Sequence, residues 1–462
     1  MVRRRRLLAA TLALLAWCCT LVLQLGLPAL AQSAPGRSDS PLQVSPTPPR
    51  AELRGVWLTA NDMPVLRDRE RMRESVSGLA ALGFNTLYPV VWNGGLAYYP
   101  SSVVKERQLQ DFSYLGLQGQ DVLGELIAEG RRQRLLVIPW FEFGFMAPLD
   151  STLARRHRDW LTEKQDGGLT SISAAGEVAW LNPFRPEVQE LITELVLEVV
   201  GTYGADGIQF DDHMTLPREF GYDSFTTALY RRETGRNPPT SPADAAWVKW
   251  RADKITEFMD RLSKAVRARR PGAIVSISPN YYDFAYKLQL QDWLAWVRRG
   301  IADELLVQIY RSDLASYYPH LLRPEVQESR QRIPTAVAIL SGQRSRPTPI
   351  DLIQQKVLAN RQAGLGVAFF YLESLWGLGP ETPEQRQSIL ARLFVTPAPR
   401  AAGPLPAATT GPAVPLPSSP SVQQPPPPPS LPLQLPPPPP PLTPMAPSGW
   451  SVPSLPQILP GV

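Results

Sequence analysis

The chain has 462 residues, which is enough for one large barrel or two ordinary domains, and its formal net charge is +5. Four of those charges are Arg3 to Arg6, so the remaining chain is nearly neutral and carries no basic stripe or motif of a nucleic-acid-binding protein. Both cysteines, Cys18 and Cys19, lie close to the N-terminus, which excludes disulfides, thiol nucleophiles and cysteine-bound metals for residues 32–462.

The N-terminal segment has the pattern of an export signal. A basic run precedes an apolar stretch from Leu7 to Leu23 and a small-x-small tripeptide at 29–31, so residues 1–31 predict a cleaved signal peptide. An uncleaved membrane anchor is the alternative, because the apolar stretch is long for a signal. We therefore expect an extracytoplasmic location (periplasm, cell wall or secreted), with membrane contact only if the segment stays uncleaved.

Two further segments have the composition of solvated chain. Residues 32–50 are rich in serine and proline and predict a linker. Residues 397–462 contain proline runs at 425–429 and 436–441 with few charges, which predicts a disordered tail with local polyproline II structure. Such a tail acts as a stiff spacer or as a docking strip for a partner, and we favour the spacer.

Residues 51–396 alternate short apolar runs with amphipathic helical patterns. The runs are rich in branched and aromatic residues, as strands buried on both faces are. The predicted strands are Leu53–Thr59, Thr86–Trp92, Leu135–Phe141, Gly207–Phe210, Ile274–Ser278, Leu305–Ile309, Ala336–Leu340 and Val367–Tyr371. The predicted helices are Arg69–Leu82, Asp121–Arg132, Pro186–Tyr203, Ala243–Arg269, Gln291–Arg299, Pro324–Arg330, Pro349–Gln362 and Pro383–Phe394.

Eight strands, each followed by a helix, predict an α/β fold of the (β/α)8 TIM-barrel type with long βα loops. A doubly wound open sheet is the alternative, but no glycine-rich phosphate loop follows a strand. In a barrel, catalytic side chains follow the carboxyl ends of the strands. Acids, amides and aromatic residues occupy those positions here, and this combination is typical of a site that binds sugars.

The stretch from Asp206 to His213 contains the most informative pair of residues. Adjacent acids at the end of a buried strand are costly unless they are hydrogen-bonded or functional. Because side chains alternate along a strand, Asp211 and Asp212 are expected to point in different directions. We predict that Asp211 is a catalytic nucleophile and that Asp212 supports it or orients a neighbour.

Glycoside cleavage requires a second carboxyl group that acts as an acid. Glu142 follows the third strand between Phe141 and Phe143, an apolar setting that favours a protonated carboxyl group. Glu373 follows the eighth strand and is the other candidate acid. For either residue the alternative is a structural role, as a hydrogen bond within the loop for Glu142 or as a rim salt bridge for Glu373.

The remaining candidate residues are predicted to bind substrate, through polar groups or by stacking on sugar rings. They are Trp57, Asn61, Trp92, Trp140, His213, Asn280, Tyr282, Gln308, Tyr310 and Trp376. Each aromatic residue taken alone is more often part of a core than of a ligand contact. No metal site is predicted, because the chain has only three histidines and they lack ligand spacing, and no cofactor is predicted either.

Several of these motifs, in this order, resemble the glycosyl hydrolase-like 10 family of exported bacterial proteins. The resemblance spans roughly residues 50–395 and is carried by the segments 52–59, 83–89, 140–144, 180–183, 206–213 and 276–280. It implies a barrel, an extracytoplasmic setting and glycan hydrolysis, with cell-wall glycan as a substrate class. The fourth-strand motif is also similar to amylase-like and α-galactosidase-like barrels, whose nucleophile aligns with Asp211. This analogy at Asp211 favours a retaining mechanism. The chain departs from the amylase pattern at Gln209, where that pattern has arginine.

The sequence therefore predicts an O-glycosyl hydrolase whose partner is a polysaccharide. Three alternatives stay open. The first is a catalytically silent barrel that binds glycan and anchors a complex through its tail, and the second is a hydrolase of α-glucans. The third is a scaffold held at the membrane by an uncleaved N-terminal segment.

Overall fold

A computed structural model describes residues 51–109, 120–173 and 176–400. The predicted signal peptide, the linker and all but four residues of the predicted tail lie outside the described residues. Within the described part of the chain, no helix is long and apolar enough to cross a membrane.

The strands of the described residues form one large sheet and one small sheet. In chain order they are β1 (Arg54–Leu58), β2 (Thr86–Asn93), β3 (Leu96–Ala97), β4 (Leu136–Val137), β5 (Trp140–Phe141), β6 (Met146–Ala147), β7 (Thr170–Ser173), β8 (Gly176–Trp180), β9 (Gly207–Asp211), β10 (Ile274–Ser278), β11 (Glu304–Gln308), β12 (Thr335–Leu340) and β13 (Gly366–Phe370). In the large sheet β1 pairs in parallel with both β2 and β13, so the sheet closes on itself. The predicted (β/α)8 barrel is confirmed.

The third barrel strand is split into β4 and β5. Pro139 lies at the break, and its backbone nitrogen has no hydrogen to donate to the ladder. Both pieces pair with β2, and β5 also pairs with β9, so the barrel stays closed across the interruption. The other seven barrel strands are continuous, and each overlaps its predicted position.

Helices follow the barrel strands and cover the outside of the barrel. They are α1 (Met63–Leu66), α2 (Arg69–Ala81), α3 (Ser102–Glu106), α4 (Val122–Arg132), α5 (Thr152–Arg156), α6 (Pro186–Gly201), α7 (Ser224–Thr234), α8 (Ala245–Arg269), α9 (Tyr282–Gln289), α10 (Trp293–Arg298), α11 (Leu314–Leu321), α12 (Pro324–Arg330), α13 (Ile350–Gln362), α14 (Leu372–Trp376) and α15 (Pro383–Leu393), with 3-10 turns at Ala60–Asp62 and Arg158–Trp160. All eight predicted helices are present. The predictions missed seven further helices within the βα loops, namely α1, α3, α5, α7, α9, α11 and α14.

A layer of hydrogen-bonded side chains fills the interior of the barrel. Gln209 on β9 accepts a hydrogen bond from the Trp57 indole at 2.6 Å and donates one to Ser276 at 2.9 Å. Ser276 in turn donates to Glu304 on β11 at 2.8 Å. Above this layer, the rings of Trp57, Trp140 and Phe370 pack edge to face with centroids 6.1–6.4 Å apart. These rings form the floor of the barrel mouth.

The small sheet covers one side of the mouth. Its strands are antiparallel in the order β6-β8-β7 and belong to the long loop between β5 and β9. Trp180, the last residue of β8, is buried with its ring centroid 6.4 Å from that of His213. This loop therefore supplies a wall beside the acids that follow β9.

The opposite end of the barrel holds the end of the described chain. Pro399 accepts a backbone hydrogen bond from Glu52 at 3.1 Å, beside the start of β1. The Arg400 guanidinium enters the barrel and forms an ion pair with Glu304, a carboxylate with no exposed side-chain surface. Residues 397–400 therefore pack against the barrel beyond the predicted boundary at residue 396.

Candidate active site

Asp211 ends β9 and points into the barrel mouth, two positions after Gln209. Its side chain is 2% exposed. Its carboxylate accepts hydrogen bonds from the Trp140 indole at 3.1 Å and from the His213 main chain at 2.8 Å. Burial raises the pKa of Asp211 to about 6, although the charge and the hydrogen bonds of His213 limit that rise.

Asp212 is held by residues at the ends of β10 and β11. Its carboxylate accepts hydrogen bonds from Asn280 Nδ2 at 2.6 Å and from Gln308 Nε2 at 3.1 Å, and its side chain is 21% exposed. No lysine or arginine of the described residues pairs with it. The two adjacent acids thus have different hydrogen-bond partners, while oxygen atoms of their carboxylates lie within 4.8 Å of each other.

Glu142 follows β5 and is partly exposed in the mouth. Its carboxylate accepts a hydrogen bond from the side-chain amide of Asn93, the last residue of β2. Burial raises the pKa of Glu142 to about 7, and the negative charge of Asp211 adds to the rise. The two residues are also linked geometrically, because His213 contacts the main chain of Glu142 and the carboxylate of Asp211.

His213 links these two acids. Its Nδ1 lies 2.7 Å from the main-chain oxygen of Glu142 and 3.1 Å from the carboxylate of Asp211. A carbonyl oxygen only accepts hydrogen bonds, so Nδ1 carries a hydrogen. Burial opposes a charged ring, but the negative charges of Asp211 and Asp212 outweigh it and raise the pKa of His213 to about 10. The imidazole is therefore cationic at neutral pH.

Tyr310 presents a free hydroxyl group to this cluster. Its ring stacks on Phe370 with centroids 5.6 Å apart, and its buried hydroxyl has no hydrogen-bond partner among the described residues. Burial, together with the charges of Asp212 and Asp211, raises the pKa of this phenol well above its usual value. The hydroxyl is thus an uncharged group beside the acids, without a partner in the described part of the chain.

Glu373, the other predicted acid, lies on the rim. Its carboxylate accepts hydrogen bonds from Arg344 at 3.0 and 3.3 Å and from the Tyr371 hydroxyl at 3.2 Å. Its side chain is 33% exposed, and no described contact joins it to Asp211 or Glu142. Glu373 thus forms a rim salt bridge, which the sequence analysis gave as the alternative to an acid role.

A model of the glycosyl hydrolase-like 10 family matches residues 52–360, which include every barrel strand except the last. The chain belongs to the glycosyl hydrolase-like 10 family. The predicted family is thereby confirmed over most of the barrel, and the acids Glu142, Asp211 and Asp212 lie within the matched residues.

Curated relatives of this family member are similar over part of their length. The glycosyl hydrolase DigH of Escherichia coli K12 is 27% identical over 305 residues, covering 56% of this chain and 65% of DigH. The glycosyl hydrolase YngK of Bacillus subtilis is 22% identical over 303 residues, covering 56% of this chain and 54% of YngK. The chain thus spans just under two thirds of the length of DigH and about half of YngK.

Two solved glycoside hydrolases have the same fold. The glycoside hydrolase domain of PgaB (BpsB) from Bordetella bronchiseptica superposes with a TM-score of 0.56 at 12% identity, covering 74% of this chain and 99% of that domain. The catalytic domain of a Paenibacillus polymyxa β-amylase gives 0.51 at 11% identity, covering 75% and 99%. At these identities the likeness establishes the fold of this family member.

The aromatic residues predicted to stack on sugars divide into two groups. Trp57 and Trp92 are each 1% exposed and belong to the core, so neither offers an open ring face. Trp140 is also buried, and it contacts the site through its indole N–H. Tyr282 and Trp376 are partly exposed, and they retain surface for a ligand.

Asn61, predicted to bind substrate, is exposed beside β1, and no side-chain contact joins it to the acids. Its neighbour Asp62 is instead the buried residue, with 1% exposure. Asp62 accepts hydrogen bonds from the Thr59 main chain at 2.7 Å and the Glu373 main chain at 2.8 Å, and burial raises its pKa to about 7. It ties the loop after β1 to the loop after β13.

Three contributors to the site were not among the predicted residues. Asn93 holds the Glu142 carboxylate, Gln291 donates to the main-chain oxygen of Asp211 at 2.8 Å, and Trp180 packs near His213. The position of Asn93 directly after a predicted strand is a signal that could have found it. Gln291 lies 80 residues from Asp211, and nothing in its local sequence indicates the contact.

Within the described residues, Asp211, Asp212 and His213 have potential metal-ligand atoms within 4.8 Å of one another. The chemistry around them does not favour a cation. Donors from Trp140 and His213 engage the Asp211 carboxylate, and amides engage that of Asp212. His213 Nδ1 carries a hydrogen, and a protonated nitrogen cannot bind a metal.

Proposed function

We propose that this family member is an exported enzyme that hydrolyses O-glycosidic bonds of a polysaccharide outside the cytoplasm, with cell-wall glycan as its substrate class. The observation that carries the proposal is the pairing of Glu142 with Asp211 in the barrel mouth. The negative charge of Asp211 contributes to the raised pKa of Glu142, His213 contacts both residues, and no arginine or lysine of the described residues neutralises either carboxyl group. Glycoside cleavage needs two carboxyl groups in this relation.

Glu142 is the general acid. A pKa of about 7 keeps much of this carboxyl group protonated near neutral pH, so that it can protonate the leaving oxygen. Its partial exposure gives substrate access. Asn93 orients the carboxyl group with an amide hydrogen bond.

Asp211 is the nucleophile, or the base that activates water. The cationic ring of His213 lies 3.1 Å from its carboxylate and favours the ionised form that either role needs. A carboxyl separation of about 5 Å supports retention, and one of about 6.5–9.5 Å supports inversion. The stereochemistry is read by NMR from the anomer first released.

Asp212 and its partners are suited to hold sugar hydroxyl groups. Asn280 and Gln308 each have an amide beside the Asp212 carboxylate, and the Tyr310 hydroxyl is an unused donor. Several convergent donors and acceptors on a rigid barrel rim orient a polyhydroxylated ligand.

The test is turnover of purified wall glycan and of starch, read as new reducing ends, by the wild-type protein and by Asp211→Asn. We expect release from wall glycan by the wild type and a loss of at least about 10³-fold in the variant, because the substituted amide cannot attack the anomeric carbon. Glu70→Gln is the matched control, since Glu70 is an exposed carboxylate on α2. Full activity of Asp211→Asn would refute the assignment, and glucose oligomers from starch would favour an α-glucan substrate.

A second candidate is a barrel that binds glycan without turnover. It is favoured by the burial of Asp211, whose carboxylate is 2% exposed and engaged by Trp140 and His213. Tight binding of the wild type to wall glycan with no new reducing ends would establish this alternative. The variant Asp212→Asn is assayed beside Asp211→Asn for new reducing ends, because Asp212 is the more exposed acid and the other possible nucleophile.

A further inference from the structure

Arg311 is a cation on the rim of the mouth that has no carboxylate partner among the described residues. It directly follows Tyr310 and is partly exposed. Its guanidinium donates a hydrogen bond to His320 Nε2 at 3.2 Å and lies 5.7 Å from the centre of the Tyr281 ring. The neighbouring Arg323, by contrast, pairs with two acidic side chains. Arg311 therefore retains an uncompensated positive charge.

His320 adds a second unused donor. An arginine only donates, so Nε2 of His320 accepts and Nδ1 carries the hydrogen. This Nδ1 is buried and has no acceptor within the described part of the chain. Burial and the charges of Arg311 and Arg323 lower the pKa of His320, which keeps the ring neutral. A buried donor without an acceptor carries a free-energy cost.

Lys356 fixes the backbone that carries Arg311. Its ammonium group donates to the main-chain oxygen of Arg311 and lies 5.1 Å from the centre of the Tyr317 ring. Lys356 is 1% exposed, so it adds positive potential without being a contact for a ligand. The acid nearest in sequence, Asp313, accepts hydrogen bonds from Ser316 at the start of α11 and is not paired with Arg311.

The cluster borders the acids of the candidate active site. Asn280 and Gln308, which hold Asp212, are joined by a parallel bridge between the ends of β10 and β11. Tyr281 is the next residue after Asn280, and Arg311 lies three residues after Gln308. Arg311 and Tyr281 therefore lie on the two loops that continue directly from the residues holding Asp212.

We propose that Arg311, His320 and Tyr281 form a subsite for a carboxylate carried by a sugar of the glycan, as in a uronic acid or a lactyl ether. The proposal rests on the proposed function, because it assumes that glycan occupies the mouth. A planar guanidinium matches a carboxylate with two parallel hydrogen bonds, and stacking on Tyr281 restrains its orientation. A neutral sugar needs no such charge.

The test compares each carboxylated substrate with its neutral, carboxyl-reduced derivative. Wall glycan fragments and a uronic-acid polysaccharide are used as prepared and after chemical reduction of their carboxyl groups to alcohols. Wild type, Arg311→Gln and the control Arg232→Gln, an exposed arginine on α7, are assayed for kcat, KM and melting temperature. For the carboxylated form of the true substrate, we expect Arg311→Gln to raise KM about tenfold with kcat little changed. For the reduced form, the change in KM should stay below about twofold.

Each outcome decides between the subsite and a structural role. If Arg311→Gln raises KM for only one of the two carboxylated polymers, that polymer identifies the source of the carboxylate. Equal losses on carboxylated and reduced forms, or a wild type without preference for carboxylate, would overturn the subsite. If no protein cleaves any substrate, the proposed function fails, and calorimetric binding of the same pairs to wild type and Arg311→Gln still tests the subsite.

Discussion

The two ends of the barrel hold buried carboxylates in opposite circumstances. At the closed end, Glu304 forms an ion pair with Arg400 and accepts hydrogen bonds from Tyr88 at 2.7 Å and Ser276 at 2.8 Å. At the mouth, the charge of Asp211 helps to raise the pKa of Glu142, and no arginine or lysine of the described residues pairs with either carboxyl group. The comparison teaches that a buried carboxylate stabilises the fold where its charge is matched, whereas one without a cationic partner is a candidate for chemistry.

The mouth is tested by Glu142→Gln. We expect kcat to fall by about 10²–10⁴-fold, because the amide cannot protonate the leaving oxygen. In the wild type the acid must be protonated, so activity falls as pH rises above about 7, and the nucleophile must be ionised, so activity falls as pH drops below about 6. A pH–rate profile should therefore peak between these values.

In the residual activity of Glu142→Gln the alkaline limb should disappear and the acid limb should remain. A leaving group that needs no protonation, such as a nitrophenolate, should restore most of the lost rate. An alkaline limb that persists in the variant would assign the acid to another residue.

The closed end is tested by Arg400→Met. Removing one partner of a buried ion pair leaves an uncompensated charge, so we expect the free energy of unfolding to fall by about 3–5 kcal/mol in urea denaturation. Turnover at temperatures well below the melting transition should be nearly unchanged, because Arg400 lies at the end of the barrel opposite to the acids.

The double variant Arg400→Met with Glu304→Gln should recover part of the lost stability, since an uncharged side chain replaces the unpaired carboxylate. Equal stability of Arg400→Met and wild type would show that residues 397–400 do not contribute to the barrel. That result would support the domain boundary predicted at residue 396.

The rim is tested by Glu373→Gln, for which we expect the smallest effect. The pair with Arg344 is exposed, with 67% of the arginine side chain accessible, and such pairs contribute less than about 1 kcal/mol. We expect less than a twofold change in kcat and an unchanged pH profile. A loss comparable to that of Glu142→Gln would move the acid role to Glu373.

Much of the fold was readable from local pattern. Short apolar runs separated by amphipathic stretches gave all eight barrel strands, because strands buried on both faces must be apolar throughout. The acids after the third and fourth strands were found for the same reason, since a charged residue ending such a run stands out. The split at Pro139 and the small sheet β6-β8-β7 were missed, because pairing of short segments depends on partners far along the chain.

The sequence by itself determined the barrel, its family and the acids Glu142, Asp211 and Asp212 as the polar ends of buried strands. Only the tertiary structure decided which acid faces which partner. It placed Glu373 in a rim salt bridge, buried Trp57 and Trp92 in the core, and brought Asn93, Gln291 and Arg400 to carboxylates distant in sequence. The physical reason is that periodic hydrophobicity acts over a few residues, whereas the pairing of charges and hydrogen bonds is set by closure of the whole sheet.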